Sequence, residues 1–428
     1  MSRRSGITSM LVTFLAAVAV SAFAALFAFA FRRSIHFLLE HFGGDERSTA
    51  VSQSTSPLLV FAIVTGGLLL ASWLGRLASR WRRERLGLGC IADVTRGVGL
   101  GPSLSGTLVR TSGTWVAMTS LASLGREATI LETGGSFGSW LSRKISRPPA
   151  DLAVTGVAAA FAAVYNAPIA GFLYVREHVV NQPQRRTAGS ALAGGVLGWA
   201  ISAQFLGGGP VFDRGIAPLG IDSFAHAAVG LVPALVATRL FFMLRQRIVP
   251  AQMPTDETAR TWARSLIFAA LGGLTIALVP LASGNGMDAI NKGVTGATVG
   301  LGLALCFGKI VATTASLAAG APGGAFSPSM AVAAGAALLA FEALDKLGAP
   351  LSGSHWDGML AAMSVGIAVG TQAPLVGIVV IAELAGDARL IPVCALSVVG
   401  VRALELVVRK LRASRSAELQ VVAETLDA

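Results

Sequence analysis

The residues best suited to chemistry lie in SLGREATILETGGSFG, residues 123 to 138, where Arg126, Glu127 and Glu132 sit between long apolar runs. An ionisable side chain at bilayer depth costs roughly 3 kcal/mol or more, so such residues usually mark an ion or proton path. Glu127 follows a glycine at what reads as a helix start. A carboxylate there can take up a proton, and it can also stand where helix-start amides favour an anion. A plain capping role for the Arg126–Glu127 pair is weaker on two counts. Adjacent residues do not face each other on a helix, and a buried pair kept for stability alone gains little. Glu132 and, far along the chain, Lys309 read as supporting or vestibule residues without an assigned step.

The elements that must position these residues belong to a membrane. The chain has 428 residues, 53% hydrophobic and only 13% charged, against about 25% charged in soluble domains. Apolar windows of bilayer-crossing length, about 20 residues, recur along nearly the whole sequence, among them 57–77, 104–122, 152–175, 263–283, 325–345 and 390–407. The reading is an all-α polytopic membrane protein. The opening apolar run of about 25 residues exceeds a cleavable signal's apolar core of about 7–15, so it reads as a retained first helix. The net charge of +11 does not form a nucleic-acid patch. Its positives cluster at segment ends, at Arg3-Arg4, Arg80 to Arg85, Arg185-Arg186, Arg245 to Arg247 and Arg409 to Arg415. The positive-inside rule then puts both termini in the cytoplasm of a cell with the protein in its inner membrane. Arg32-Arg33 runs against that rule, because two crossings would leave the pair outside. Cys90, Cys306 and Cys394 are scattered and the five histidines form no ligand spacing. Neither a disulfide, nor a metal, nor a cofactor is indicated.

The chain also repeats itself. NAPIAGFLYVRE (166–177) and QAPLVGIVVIAE (372–383) share Ala-Pro, a following glycine and a closing glutamate, 206 residues apart from Ala167 to Ala373. Each follows a glycine-rich interruption, Gly125 to Gly138 in one half and Gly320 to Pro328 in the other. Irregular backbone survives at membrane depth only inside protein or along a cavity. Two halves with broken helices suggest a transporter with its site where the halves meet. The expected division is 1–56 as an N-terminal membrane helix and external loop, 57–210 and 211–410 as the two repeat halves, and 411–428 as a short charged cytoplasmic tail.

Four elements in order resemble the CLC family of chloride channels and chloride/proton antiporters. The family's GREGP is GREAT (125–129) here, its GxFxP is GAFSP (324–328), its FNAPLAG is YNAPIAG (165–171), and its RAPLTG is QAPLVG (372–377). The resemblance spans roughly 57 to 405 and implies a CLC-type fold with two inverted-topology repeats and a homodimer with one pore per subunit; residues 411–428 are expected to be too short to hold CBS domains. It makes Glu127 the gate, whose carboxylate fills the outer anion site until an anion or a proton displaces it. It makes the backbone around Arg126, Glu127 and Ala128, and around Gly324, Ala325 and Phe326, the anion's cradle. Partial positive charge of this kind holds a halide without trapping it.

Three departures qualify what the resemblance implies. The family's GSGIP corresponds to GLGCIADV (87–94), with Gly89 in place of the anion-binding serine and Cys90 beside it. The C-terminal tyrosine ligand is missing, since the only tyrosines are Tyr165 and Tyr174. Both side-chain ligands of the central anion are therefore lost, which predicts weak or poorly selective chloride binding. The internal proton-donor glutamate is His178, preceded by Glu177. Histidine in general titrates near neutrality, so His178 could relay protons, or it could be a polar residue at a helix end. Glu177 could substitute in part, although Glu383 in the other repeat suggests an architectural role for that position.

The leading expectation is exchange of chloride or a similar anion for protons. A passive channel and a fluoride/proton antiporter stand beside it. Intact GAFSP argues against the fluoride branch, and altered GLGCI favours it weakly. An intramembrane serine enzyme would need a histidine partner for Ser136. A cation-coupled carrier of another fold would need a carboxylate in GAPGGAFSP to match Glu127.

Overall fold

The computed structural model describes residues 3–82, 87–99, 101–180, 185–212, 219–250, 258–296 and 298–426. Arg83 and Arg85 of the basic clusters lie outside that range. The first half runs α1 (Arg3–Gly43), α2 (Ser48–Ser54), α3 (Pro57–Arg82), α4 (Leu88–Thr95), α5 (Leu104–Thr119), α6 (Glu127–Lys144), α7 (Pro149–Tyr165), α8 (Pro168–Tyr174) and α9 (Arg185–Leu206). The second runs α10 (Ile221–Ile248), α11 (Ala259–Leu278), α12 (Met287–Thr295), α13 (Val299–Leu303), α14 (Lys309–Ala318), α15 (Phe326–Lys346), α16 (His355–Thr371), α17 (Pro374–Leu384) and α18 (Leu390–Leu426). Two five-residue π-helical turns interrupt this order, Val175–Val179 after α8 and Ala304–Gly308 before α14.

Seven helices among the described residues are long and apolar enough to cross a bilayer, including Pro57–Arg80, Ile221–Ile248 and Phe326–Lys346. Others are too short. At 1.5 Å per residue, the 17 residues of α7 reach about 25 Å, less than the ~30 Å hydrocarbon core. Such helices stay inside the protein, and α7 is buried along almost its whole length. Its packing on α6 depends on Gly134 and Gly156, which face each other so closely that a methyl group on either would meet the other's carbonyl. Contacts of this kind let van der Waals packing replace the hydrophobic drive that lipid does not supply.

The repeat is visible in the backbone. Asn166 and Gln372 close α7 and α16 in the left-handed conformation, with φ 54° and φ 57°. Each is followed by Ala-Pro, and Pro168 and Pro374 open α8 and α17. Asn tolerates left-handed φ through its short polar side chain, and Pro presets the φ of a first helical turn. The sequence Asn/Gln-Ala-Pro is thus a hinge between two half-helices, used once in each half.

Two segments differ from the sequence reading. The apolar stretch 104–122 ends as a helix at Thr119, and Leu121 turns at φ 65° to deliver the chain to Gly125. The last helix, expected to stop near 407, continues to Leu426, so much of the expected charged tail is helical.

Candidate functional site

The centre of the molecule is a backbone contact between the halves. Gly125 N donates to Gly324 O at 2.8 Å and Gly324 N donates to Gly125 O at 2.7 Å, an antiparallel bridge. Two residues later on each strand a helix begins, α6 at Glu127 and α15 at Phe326. The first amides of each helix lack an intrahelical acceptor, so two positive helix ends converge at one place. A methyl on Gly125 would run into Glu127 Oε2, and one on Gly324 would come within 3.1 Å of Ala128 Cβ. Only glycines permit this approach. The bridge brings together Arg126, Glu127 and Ala128 with Gly324, Ala325 and Phe326.

Glu127 is 2% exposed. Its Oε1 accepts a hydrogen bond from Ser327 Oγ, and Ser327 Oγ lies 3.0 Å from Tyr165 Oη. Its Oε2 is buried without a partner among the described residues. Phe326, half-buried, meets an aromatic group from the other half: its ring centre is 5.3 Å from Tyr165, 5.6 Å from Phe161 and 6.0 Å from Tyr174. Ser327 and Tyr165 lie within the GAFSP and YNAPIAG motifs, but the motifs alone give neither a place beside Glu127.

On one side of Glu127 opens a cavity of about 310 Å³ lined by Arg32, His36, Glu46, Arg126, Glu127 and Asp288 among others. His36 Nδ1 sits 3.2 Å from Glu46 Oε2. Arg32, which ran against the charge rule, therefore lines a cavity together with Glu46 and Asp288. Lys309 is fully buried beside this region, its Nζ donating to the carbonyls of Ala282, Ser283 and Gly284 at 2.9, 3.0 and 2.6 Å. An ammonium with three acceptors is satisfied.

The stretch corresponding to the family's serine motif forms the start of α4, after Gly87 at φ +110°. Gly89 is exposed and a Cβ built on it would meet nothing within 4 Å, so the missing hydroxyl leaves open space. Cys90 is buried. Glu132, 0% exposed, accepts from Gly87 N at 2.7 Å and from Thr107 Oγ1 at 3.4 Å, and pairs with Arg110. It is the anchor of α4's start, which gives substance to its supporting role. Ser136 Oγ lies 2.9 Å from Thr107 Oγ1, in a cluster of hydroxyls.

His178 lies in the π-helical turn after α8, its Nδ1 2.9 Å from Thr371 O and its ring 5.0 Å from that of Tyr174. Tyr174 packs in turn on Phe326, the ring centres 6.0 Å apart, and no hydrogen-bonded chain joins His178 to Glu127 among the described residues. Glu177 points elsewhere. It accepts from Leu375 N at 3.3 Å and Val376 N at 3.0 Å at the start of α17, while Glu383 accepts from Ile169 N at 2.9 Å and Ala170 N at 2.8 Å at the start of α8. Each repeat's glutamate caps the other repeat's Ala-Pro helix, as a carboxylate at a helix start should.

A family profile described as voltage gated chloride channel matches residues 67–404. The chain belongs to this family. Among relatives, a ClcB-like protein of Ralstonia nicotianae is 28% identical over 381 residues, covering 84% of this chain and 86% of its own length. The H(+)/Cl(-) exchange transporter ClcA of Cronobacter sakazakii is 30% identical over 289 residues, 63% of this chain, which spans about 60% of that exchanger's length. Among solved structures, a slow cyanobacterial Cl-/H+ antiporter superposes with a TM-score of 0.73 at 18% identity, covering 92% of this chain and 94% of its own. A CLC-type fluoride/proton antiporter gives 0.66 at 18%, covering 91% and 95%. The family's fold is therefore the fold of this chain, all-α with two repeats and interrupted helices.

Proposed function

We propose that this protein exchanges chloride, or a similar small anion, for protons across the bacterial inner membrane, with Glu127 as the gate. The observation that carries this reading is the Glu127 carboxylate at the meeting point of two helix starts, held by a hydroxyl from the opposite half. A carboxylate in that position does two jobs. Charged, it occupies an anion's place; protonated, it no longer competes for the helix-start amides and can leave. Coupling follows because the same group binds the proton and blocks the anion. The CLC relatives that exchange protons for chloride support the same reading.

His178 is proposed as the inner proton site. Its ring contacts Tyr174, which contacts Phe326, and its protons would reach Glu127 by transient water. Passive conduction is the second reading, favoured by the lack of a bonded chain along that route among the described residues. The cavity holding Arg32 and Arg126 is proposed as the outer vestibule, with both termini cytoplasmic. We carry over from the family the homodimer with one pore in each subunit, and the division into halves at 57–210 and 211–410. Reconstituted vesicles with a chloride gradient, followed for pH and chloride together, test the function. Protons driven uphill by chloride support exchange; chloride flux without proton movement supports the channel.

A further inference from the structure

We propose that the hydroxyl of Ser327, polarised by the phenol of Tyr165, is the side-chain ligand that the permeating anion meets when Glu127 swings away. The inference rests on the gate reading and adds to it the donors that replace those the family pattern lacks here. An internal carboxylate is a built-in anion, so the groups that bind it are those a free anion would find. Ser327 Oγ donates to Glu127 Oε1. While Glu127 is a carboxylate it can only accept, so Ser327 gives its one proton there and the 3.0 Å hydrogen bond with Tyr165 then runs from Tyr165 O–H to Ser327 Oγ. All three residues are buried, at 2% exposure for Glu127, 0% for Ser327 and 2% for Tyr165. In such surroundings donors in series strengthen one another.

The shape of the site favours a small anion. Glu127 uses one oxygen there, and its other oxygen is buried without a partner among the described residues. A carboxylate with two acceptor oxygens is poorly served by a place that satisfies one. A monatomic halide is a single acceptor centre and loses nothing. Tyr165 cannot turn away easily, because Phe161 and Phe326 hold its ring at 4.9 and 5.3 Å. The two donors come from opposite halves, Tyr165 closing α7 and Ser327 in the first turn of α15, so the site exists only where the repeats meet. Ser327 is the direct donor and Tyr165 the positioning residue.

The test uses Glu127→Ala, which removes the competing carboxylate, and compares it with the double variants carrying Ser327→Ala or Tyr165→Phe. Each second change deletes one oxygen from a packed site, and monodisperse elution in detergent establishes folding before binding is compared. Chloride binding is measured by calorimetry, with bromide, nitrate and thiocyanate as competitors. Glu127→Ala should bind chloride more tightly than the parent protein. Ser327→Ala should then weaken binding about tenfold or more, the usual scale for a hydrogen bond to a charged group. Tyr165→Phe should weaken it less and flatten the preference among the four anions. If Glu127→Ala binds no better than the parent, the gate reading falls and this inference with it. If it binds better but both double variants match it, the gate stands and the hydroxyl ligands are wrong.

Discussion

The open space at Gly89 allows a gain-of-function substitution, Gly89→Ser. A Cβ there meets no atom of the described residues within 4 Å, so the added side chain displaces none of them. Gly89 lies in the first turn of α4, where serine is a better helix former than glycine by a few tenths of a kcal/mol. The substitution should therefore leave the fold as stable as before. A hydroxyl donating to an anion contributes roughly 1.5–3 kcal/mol, and fixing its rotamer takes back up to about half of the lower figure. A net gain of about 1–2 kcal/mol is roughly five- to thirtyfold in chloride affinity. Calorimetry of the parent and the variant in chloride, with nitrate and thiocyanate competition, reads this directly. The parent should bind more weakly than millimolar, and the variant should bind more tightly and favour chloride. An unchanged affinity in a well-folded Gly89→Ser would mean that α4 does not face the anion path, and the assignment of 87–94 would be withdrawn.

Other substitutions test neighbouring parts of the account. Glu132→Gln deprives Arg110, whose side chain is 22% exposed, of its buried carboxylate partner; breaking a fully buried pair costs about 3–5 kcal/mol, so this half-buried one should lose less than that and still lower the melting temperature in detergent. A drop no larger than for a surface change would show that the pair is solvated. Glu177→Gln and Glu383→Gln remove equivalent helix caps, each of which contributes roughly 0.5–2 kcal/mol; similar losses of stability are expected, and a loss of proton flux confined to Glu177→Gln would give that residue a transport role. His178→Ala should reduce proton movement while leaving chloride flux down its own gradient, and intact pumping would remove the residue from the mechanism. Arg32→Gln should raise the chloride concentration needed for half-maximal uptake from the cavity side, more at low than at high ionic strength, since salt screens attraction beyond a Debye length. Equal effects at both ionic strengths would point to a packing role.

Much of the site was legible because local backbone chemistry is written in short motifs. Glycines before Glu127 and Phe326 announced helix starts, and the Asn166 and Gln372 hinges came with prolines that fix their sequels. The two closing glutamates showed the repeat, yet not that each caps the other half's helix, because spacing along one chain does not tell which half a carboxylate will reach. Ser327 and Tyr165 were missed for the same reason. A hydroxyl has no periodicity of its own, and Ser327 meets Glu127 across 200 residues and Tyr165 meets Ser327 across 162, separations that only folding closes. Arg32 looked like a violation of charge placement because hydropathy sees lipid or water and cannot see a cavity; once the cavity is present, its charge is ordinary. The extension of the last helix to Leu426 went unread, since a charged end satisfies its helix outside the bilayer without an apolar signal.

The most direct test of the central claim compares the parent protein with Glu127→Gln and Glu127→Ala in vesicles holding an outward chloride gradient. Extravesicular pH and chloride are recorded together. The parent should move protons against their gradient as chloride leaves. Both variants should pass chloride with no proton movement and no dependence on pH, because the group that joins the two fluxes has been neutralised. Proton pumping that persists unchanged in both variants would contradict the gate.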